Sequence, residues 1–178
     1  MSVDNIKSAI SKRGGLARTN RFLVTFNLPA SAAASAQTFK GGDPRDLTFL
    51  CESTQIPGRN INTLEYQTNK ETIKLPNGFI DDDVTMTFLL TNDYYMKNVF
   101  ESWMGSIIDT EQYQVGYKKD FQTDVTIQQL DLNDKKVYGI RLMNAYPILI
   151  NAIDLNNSTT DEVQRVTVTF AYDRYMSE

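Results

Sequence analysis

The chain has 178 residues, a net charge of −4 and 41% hydrophobic residues, so it can bury its own core without a disulfide or a structural metal. It contains no histidine and a single cysteine, which excludes Ser-His-Asp and Cys-His nucleophile pairs, histidine-ligated zinc and any internal disulfide. The acidic balance argues against a stable nucleic-acid binder. No stretch approaches the roughly 18 consecutive apolar residues of a membrane span, nor does the N-terminus show the apolar run of a secretory signal.

Residues 1–20 are polar, with "KRGG" at Lys12 to Gly15, and read as an arm with a short helix suggested by Ile6 and Ile10; residues 21–178 read as one domain. In "RFLVTFNLP", Phe22, Val24, Phe26 and Leu28 share one face of a strand that Pro29 ends. Ala30 to Asp46, rich in small residues with Gly-Gly and Asp-Pro, reads as a long loop. "LTFLCESTQIP" reads as a strand with Leu47, Phe49 and Cys51 on one face. "NINTLEYQT" and "ETIKL", about Asn60 to Leu75 with Asn69 between them, read as a hairpin that a Pro76–Gly78 turn closes off.

"DVTMTFLLT" is a strand with Val84, Met86, Phe88 and Leu90 on one face. The period then changes. Tyr95, Met96, Val99, Phe100, Trp103, Met104, Ile107 and Ile108 fall at helical spacing, with Asn92 or Asp93 as N-cap and with Phe100 and Trp103 as anchors on a sheet. "QYQVGYK", "DVTIQQLDL", "KVYGIRLMNAYPILI" and "VQRVTVTFAYDRY" read as further strands, the last with Val166, Val168, Phe170 and Tyr172 on one face. Many strands and one clear helix predict a mainly β fold: an antiparallel β-sandwich or partly open barrel flanked by one α-helix.

Few residues remain for chemistry. Asp81, Asp82 and Asp83 stand in a row before a strand, and at most two could converge, so they read as a solvated turn rather than a cation site. "DLNDKK", from Asp131, fails as a calcium loop because Lys136 stands where glycine is needed and Leu142 where glutamate is needed. Cys51 has no activating base, and Glu52 beside it would raise its pKa, so it reads as a small core residue. No catalytic, metal or cofactor residue is expected. The hairpin is different: its faces are too mixed for a buried core pair, and an isolated two-stranded ribbon is marginal in water, so it needs a partner.

The order of these patterns resembles a known family. "ARTNRFLV", "CESTQIPGR", "FLLTNDYYMKNVFESWM", "YQVGYKKDFQTDVTIQQLD", "NAYPILI" and "RVTVTFAYDRY" together are similar to the tail tube proteins of contractile-tailed bacteriophages, over about Arg18 to Tyr175. The resemblance implies a structural virion protein, assembled in the host cytoplasm into hexameric rings that stack as a hollow tube. Its partners would be itself, the tail sheath and baseplate tube proteins, with DNA passing through the lumen unbound. The subunit contact would then contain Leu64, Tyr66, Ile73 and Leu75 of the hairpin together with Arg18 and Phe22. A baseplate tube initiator of the same fold, or a monomeric β-sandwich module binding through Trp103 and tyrosines, are the alternatives.

Overall fold

The computed structural model describes residues 3–38, 42–43, 45–67, 70–110, 112–158 and 162–178. Helix α1 (Val3–Lys12) has no buried residue. Strand β1 (Phe22–Phe26) follows, then α2 (Ala30–Thr38), a one-turn helix α3 (Asp46–Phe49) and strand β2 (Cys51–Thr54). Strands β3 (Arg59–Gln67) and β4 (Thr72–Asp81) form the hairpin, and β5 (Val84–Leu89) leads into helix α4 (Tyr95–Ile107). After the short β6 (Ile108–Asp109), β7 (Gln114–Val115) and helix α5 (Lys118–Phe121) come β8 (Thr123–Leu130), β9 (Lys136–Ile150), β10 (Arg165–Ala171) and β11 (Arg174–Ser177).

The main sheet is antiparallel, in the order β1-β8-β9-β10-β5-β2, with β11 pairing the first half of β9. It folds over on itself at β9. Residues 136–145 of β9 pair with β8, and residues 146–150 pair with β10. Between these halves Asn144 adopts a left-handed conformation, φ 57°, which asparagine tolerates better than most residues. Its amide donates to Asp124 Oδ1 at 3.2 Å and its side-chain Nδ2 to Asp173 Oδ2 at 2.7 Å. Lys118 also donates to Asp173, and these two hydrogen bonds hold that carboxyl below the usual carboxylate range. The result is a sandwich whose strands change sheet at one corner. Among the described residues, edge strands β1 and β2 do not pair, so no closed barrel forms.

Alternation along the strands fills the space between the layers. Val24 and Phe26, Val125 and Ile127, and Ile140 and Leu142 face Val84, Met86 and Phe88 and Val166, Val168 and Phe170. The Phe26 ring lies 5.9 Å from those of Phe88 and Phe170. Helix α4 covers one end: Phe100 sits 5.0 Å from Phe88, Trp103 sits 6.0 Å from Phe170, and Trp103 Nε1 donates to the Phe121 carbonyl at 2.7 Å. Both side chains are fully buried. The outward face of β5 and β10 carries a threonine ladder, with Thr85 opposite Thr169 and Thr87 opposite Thr167.

Several local expectations change. The expected loop from Ala30 to Asp46 contains α2, because an alanine run after Pro29 has high helix propensity; residues 39–41 and 44 lie outside the described residues. Buried Ala32 and Ala36 let α2 approach α4 closely. Gly42 is required beside them, since a Cβ there would meet the Tyr95 ring at 2.3 Å. The strand expected from Leu47 begins only at Cys51. The short α3 buries Leu47 and exposes Phe49, so these two do not share a strand face. The α4 N-cap is Tyr94, in the left-handed region at φ 54°, rather than Asn92 or Asp93, although Asp93 Oδ1 accepts from the Tyr95 amide at 3.3 Å. "QYQVGYK" contributes only β7 and the start of α5, not a full strand.

Cys51 is half-buried on edge strand β2, and its Sγ donates to the Ser53 carbonyl at 3.6 Å. Burial pushes its thiol up to about 12, so the cause is desolvation rather than Glu52. The Glu52 carboxylate is turned to Arg165, in a two-pronged ion pair that reaches across β5.

Two outcomes follow for stability and reactivity. Trp103→Ala removes the largest fully buried side chain and its hydrogen bond, and should cost about 3–5 kcal/mol, read from the denaturant midpoint. A shift near zero would contradict the packing of α4. Cys51 should resist alkylation in the folded chain at pH 8, where a thiol with a pKa of about 12 is almost wholly protonated, and react at the rate of a free thiol after denaturation. Equal rates in the two states would show that the thiol is not buried.

Candidate assembly surface

The described residues hold no grouping of three or more metal-ligating side chains, and no helix among them is long and apolar enough to cross a membrane. What the chain does present is the β3–β4 hairpin. Its ribbon is nine and ten residues long on its two strands, or about 30 Å at the usual rise. It is longer than Asn60 to Leu75, because Pro76–Gly78 is not a terminal turn. Asn62 pairs with Gly78 and Thr63 with Pro76, which leaves Asn77 as an extra residue in a β-bulge. Pairing then continues to Arg59 opposite Asp81. The expected turn residue Asn69 lies outside the described residues.

Register decides the faces. Leu64 pairs with Leu75 and Tyr66 with Ile73, and residues directly opposite in an antiparallel pair share a face. These four sequence-predicted contact residues therefore form one apolar stripe, which Ile80, opposite Asn60, extends. Leu64 is 57% exposed, Tyr66 60%, and Ile73 and Leu75 48% each. The other face carries the Glu65–Lys74 ion pair at 3.5 Å and, nearer the base, Ile61 paired with Phe79. Ile61, Phe79 and Ile80 are exposed too; sequence reasoning missed Phe79 and Ile80 because it ended the hairpin at Leu75, and so left Ile61 without its apolar partner. The ribbon packs chiefly on itself.

The base of the hairpin is built by the aspartate row. Asp81 has only 8% of its side chain exposed and takes two hydrogen bonds from Arg59, at 2.7 and 3.0 Å. The Asp82 amide donates to the Gly58 carbonyl at 3.1 Å. A Cβ on Gly58 would meet Asp82 Oδ2 at 2.8 Å, so a larger residue there would turn the Asp82 carboxylate aside. Asp82 and Asp83 are exposed in the short connection before β5, as the solvated-turn reading expected, whereas Asp81 is sheltered and forms a structural junction with Arg59.

The two remaining contact candidates lie elsewhere. Phe22 is half-buried on edge strand β1, packed against the core and lining an open cavity of about 550 Å³ between the β1 and β2 edges. That cavity also touches Thr54, whose buried hydroxyl has no protein partner. Arg18 is exposed, with its carbonyl accepting from Gln129 Nε2 at 3.2 Å. The structure does not bring Arg18 and Phe22 onto the hairpin stripe; they flank the unpaired β1 edge and the exposed helix α1.

Comparison with known proteins gives this surface its setting. A family model described as phage tail tube protein matches residues 17–178. The tail tube protein of Serratia phage KSP90 is 24% identical over 178 residues, covering 99% of this chain and 97% of that protein. Similar folds occur in the sheath–tube complex of an extracellular contractile injection system (PVC, extended state), with TM-score 0.63, 16% identity, and 100% of this chain and 98% of that one covered. A chain in the 6-fold symmetrised baseplate of the anti-feeding prophage gives TM-score 0.60 at 14% identity, with 92% of this chain and 95% of that one covered. The family model covers nearly the whole length of this antiparallel sandwich and its apolar ribbon: the chain belongs to the phage tail tube protein family and is a structural protein of the tail tube.

Proposed function

We propose that copies of this chain close into hexameric rings, that the rings stack into the hollow inner tube of a contractile virion tail, and that DNA leaves through its lumen. The observation that carries this reading is the β3–β4 stripe of Leu64, Tyr66, Ile73 and Leu75, exposed in the single chain. Fully burying an exposed apolar side chain is worth about 1.5–3 kcal/mol, and these four, still about half exposed, would each gain part of that on assembly, so a repeating contact gains most by covering them. The symmetry of the anti-feeding prophage baseplate supports six copies, and the PVC complex supports a surrounding sheath as partner. Baseplate tube proteins of the same fold would start the stack.

The rest of the chain fits this role. Unpaired β1 and β2 edges, with Phe22 at one of them, invite a neighbouring strand within a ring. Among the described residues of the arm, 3–20, including Arg18, there is no core, and helix α1 gains order by lying on another copy. An uncharged threonine ladder and a net charge of −4 give phosphate groups little to hold on to, so DNA passes without sticking.

The test is Leu64→Asp with Tyr66→Asp. The double variant should keep the circular dichroism of the folded chain and form no stacked tubes in negative-stain images, since burying unpaired carboxylates at a contact costs several kcal/mol. Normal tubes from this variant would remove the hairpin from the stacking contact, and a loss of the folded signature would place these side chains in the intramolecular core.

A further inference from the structure

The hairpin leaves the body by two short connections, residues 55–58 and 82–83, and one group of side chains spans from its base to the opposite layer. The Arg59 guanidinium lies over two rings at once: its Cζ is 4.7 Å from the centroid of Phe79, on the hairpin, and 4.6 Å from that of Tyr175, on β11. Its Nε and Nη2 hold both oxygens of the nearly buried Asp81. The Tyr175 ring packs edge-on against Tyr172 at 6.5 Å, and the Tyr172 hydroxyl donates to the Asp82 carbonyl at 2.6 Å. Burial and the neighbouring carboxylates push the Tyr172 hydroxyl well above its usual range, so it stays a donor across the physiological pH span.

From this arrangement we infer that Arg59 is the positioning residue of the assembly surface: held between Phe79 and Tyr175 and forked onto Asp81, it fixes the angle at which the hairpin leaves the body and so the geometry in which the apolar stripe meets a second copy of the chain. The inference rests on the hairpin-mediated contact proposed above. Only arginine satisfies the site. A planar guanidinium stacks on two rings while donating in its own plane, whereas a lysine ammonium supplies charge without the fork or the flat faces. The ribbon spends its own backbone hydrogen bonds internally, so among the described residues its direction is set at its base, where this clamp acts together with the Asp82–Gly58 and Tyr172–Asp82 hydrogen bonds. A contact repeated from ring to ring needs that direction to be the same in every copy, because a hairpin free to swing pays the ordering entropy at each addition.

The experiment uses the full chain with Arg59→Lys, which preserves the charge, alongside Tyr175→Phe, which preserves the ring. Hydrogen exchange is measured at concentrations below assembly, and the critical concentration for tube formation is read by sedimentation. Arg59→Lys should speed exchange of the amides at the hairpin base, that of Asp82 bonded to Gly58 and those of the Arg59–Asp81 end of the ribbon, by about tenfold or more while those of β5, β8 and β10 hold, and should raise the critical concentration by a similar factor. Tyr175→Phe should match the parent chain in both. Unchanged exchange at the hairpin base in Arg59→Lys overturns the clamp. Faster exchange with normal assembly overturns its positioning role. If Arg59→Lys loses the folded signature of the body, Tyr175→Leu, which leaves the Arg59–Asp81 pair and removes the seat, is held to the same two readings. Because exchange is read on unassembled protein, the clamp fails independently of the stacking contact, which Leu64→Asp with Tyr66→Asp tests on its own.

Discussion

A two-stranded ribbon cannot bury its own side chains. Beyond its base at Arg59 and Asp81, the residues of β3 and β4 pair across the ribbon with no second layer over them, so apolar groups there stay wet unless another surface covers them. In the body of the molecule the same chemistry is satisfied internally, because β9 turns one sheet back over itself and closes Phe26 against Phe88 and Phe170. The hairpin lies outside that closure. A sequence that places Leu64, Tyr66, Ile73 and Leu75 on one side of such a ribbon leaves apolar surface to be covered by another chain.

Two junctions convert this imbalance into a defined shape. The corner at Asn144 is held through Asp124 and Asp173, and it brings β11 beneath the hairpin. The base at Arg59 then ties the hairpin to β11 through Tyr175. Both junctions join polar groups that are satisfied by specific partners, while the layers between them are apolar. At the Arg59 junction, removing the guanidinium costs more than a contact, since the nearly buried Asp81 carboxylate is left unpaired.

Much of the body was legible from period alone. Val84, Met86 and Phe88, and Val166, Val168 and Phe170, alternate so cleanly that their burial is a direct consequence of strand geometry. The α4 stripe is equally direct from Tyr95 to Trp103, then weakens where the helix ends at Ile107 and Ile108 turns outward. The stripe of Leu64, Tyr66, Ile73 and Leu75 was legible as a shared face. The length of the hairpin was not, because Pro-Asn-Gly has the composition of a turn and only the register of the partner strand shows it to be a bulge. Helix α2 was hidden since alanine carries helix propensity without an apolar period to reveal it. The Arg59 junction had no sequence signal: Asp81 is 22 residues away, and Tyr175 is brought there only by the corner at Asn144.

The central claim is that the hairpin stripe is covered by another copy of this chain in the assembled tube. A cryo-electron microscopy reconstruction of the tube tests it most directly. The account predicts six chains per ring, with Leu64, Tyr66, Ile73 and Leu75 packed against a neighbouring copy and the hairpin angle set by Arg59 between Phe79 and Tyr175. A tube in which those four side chains face solvent would contradict it.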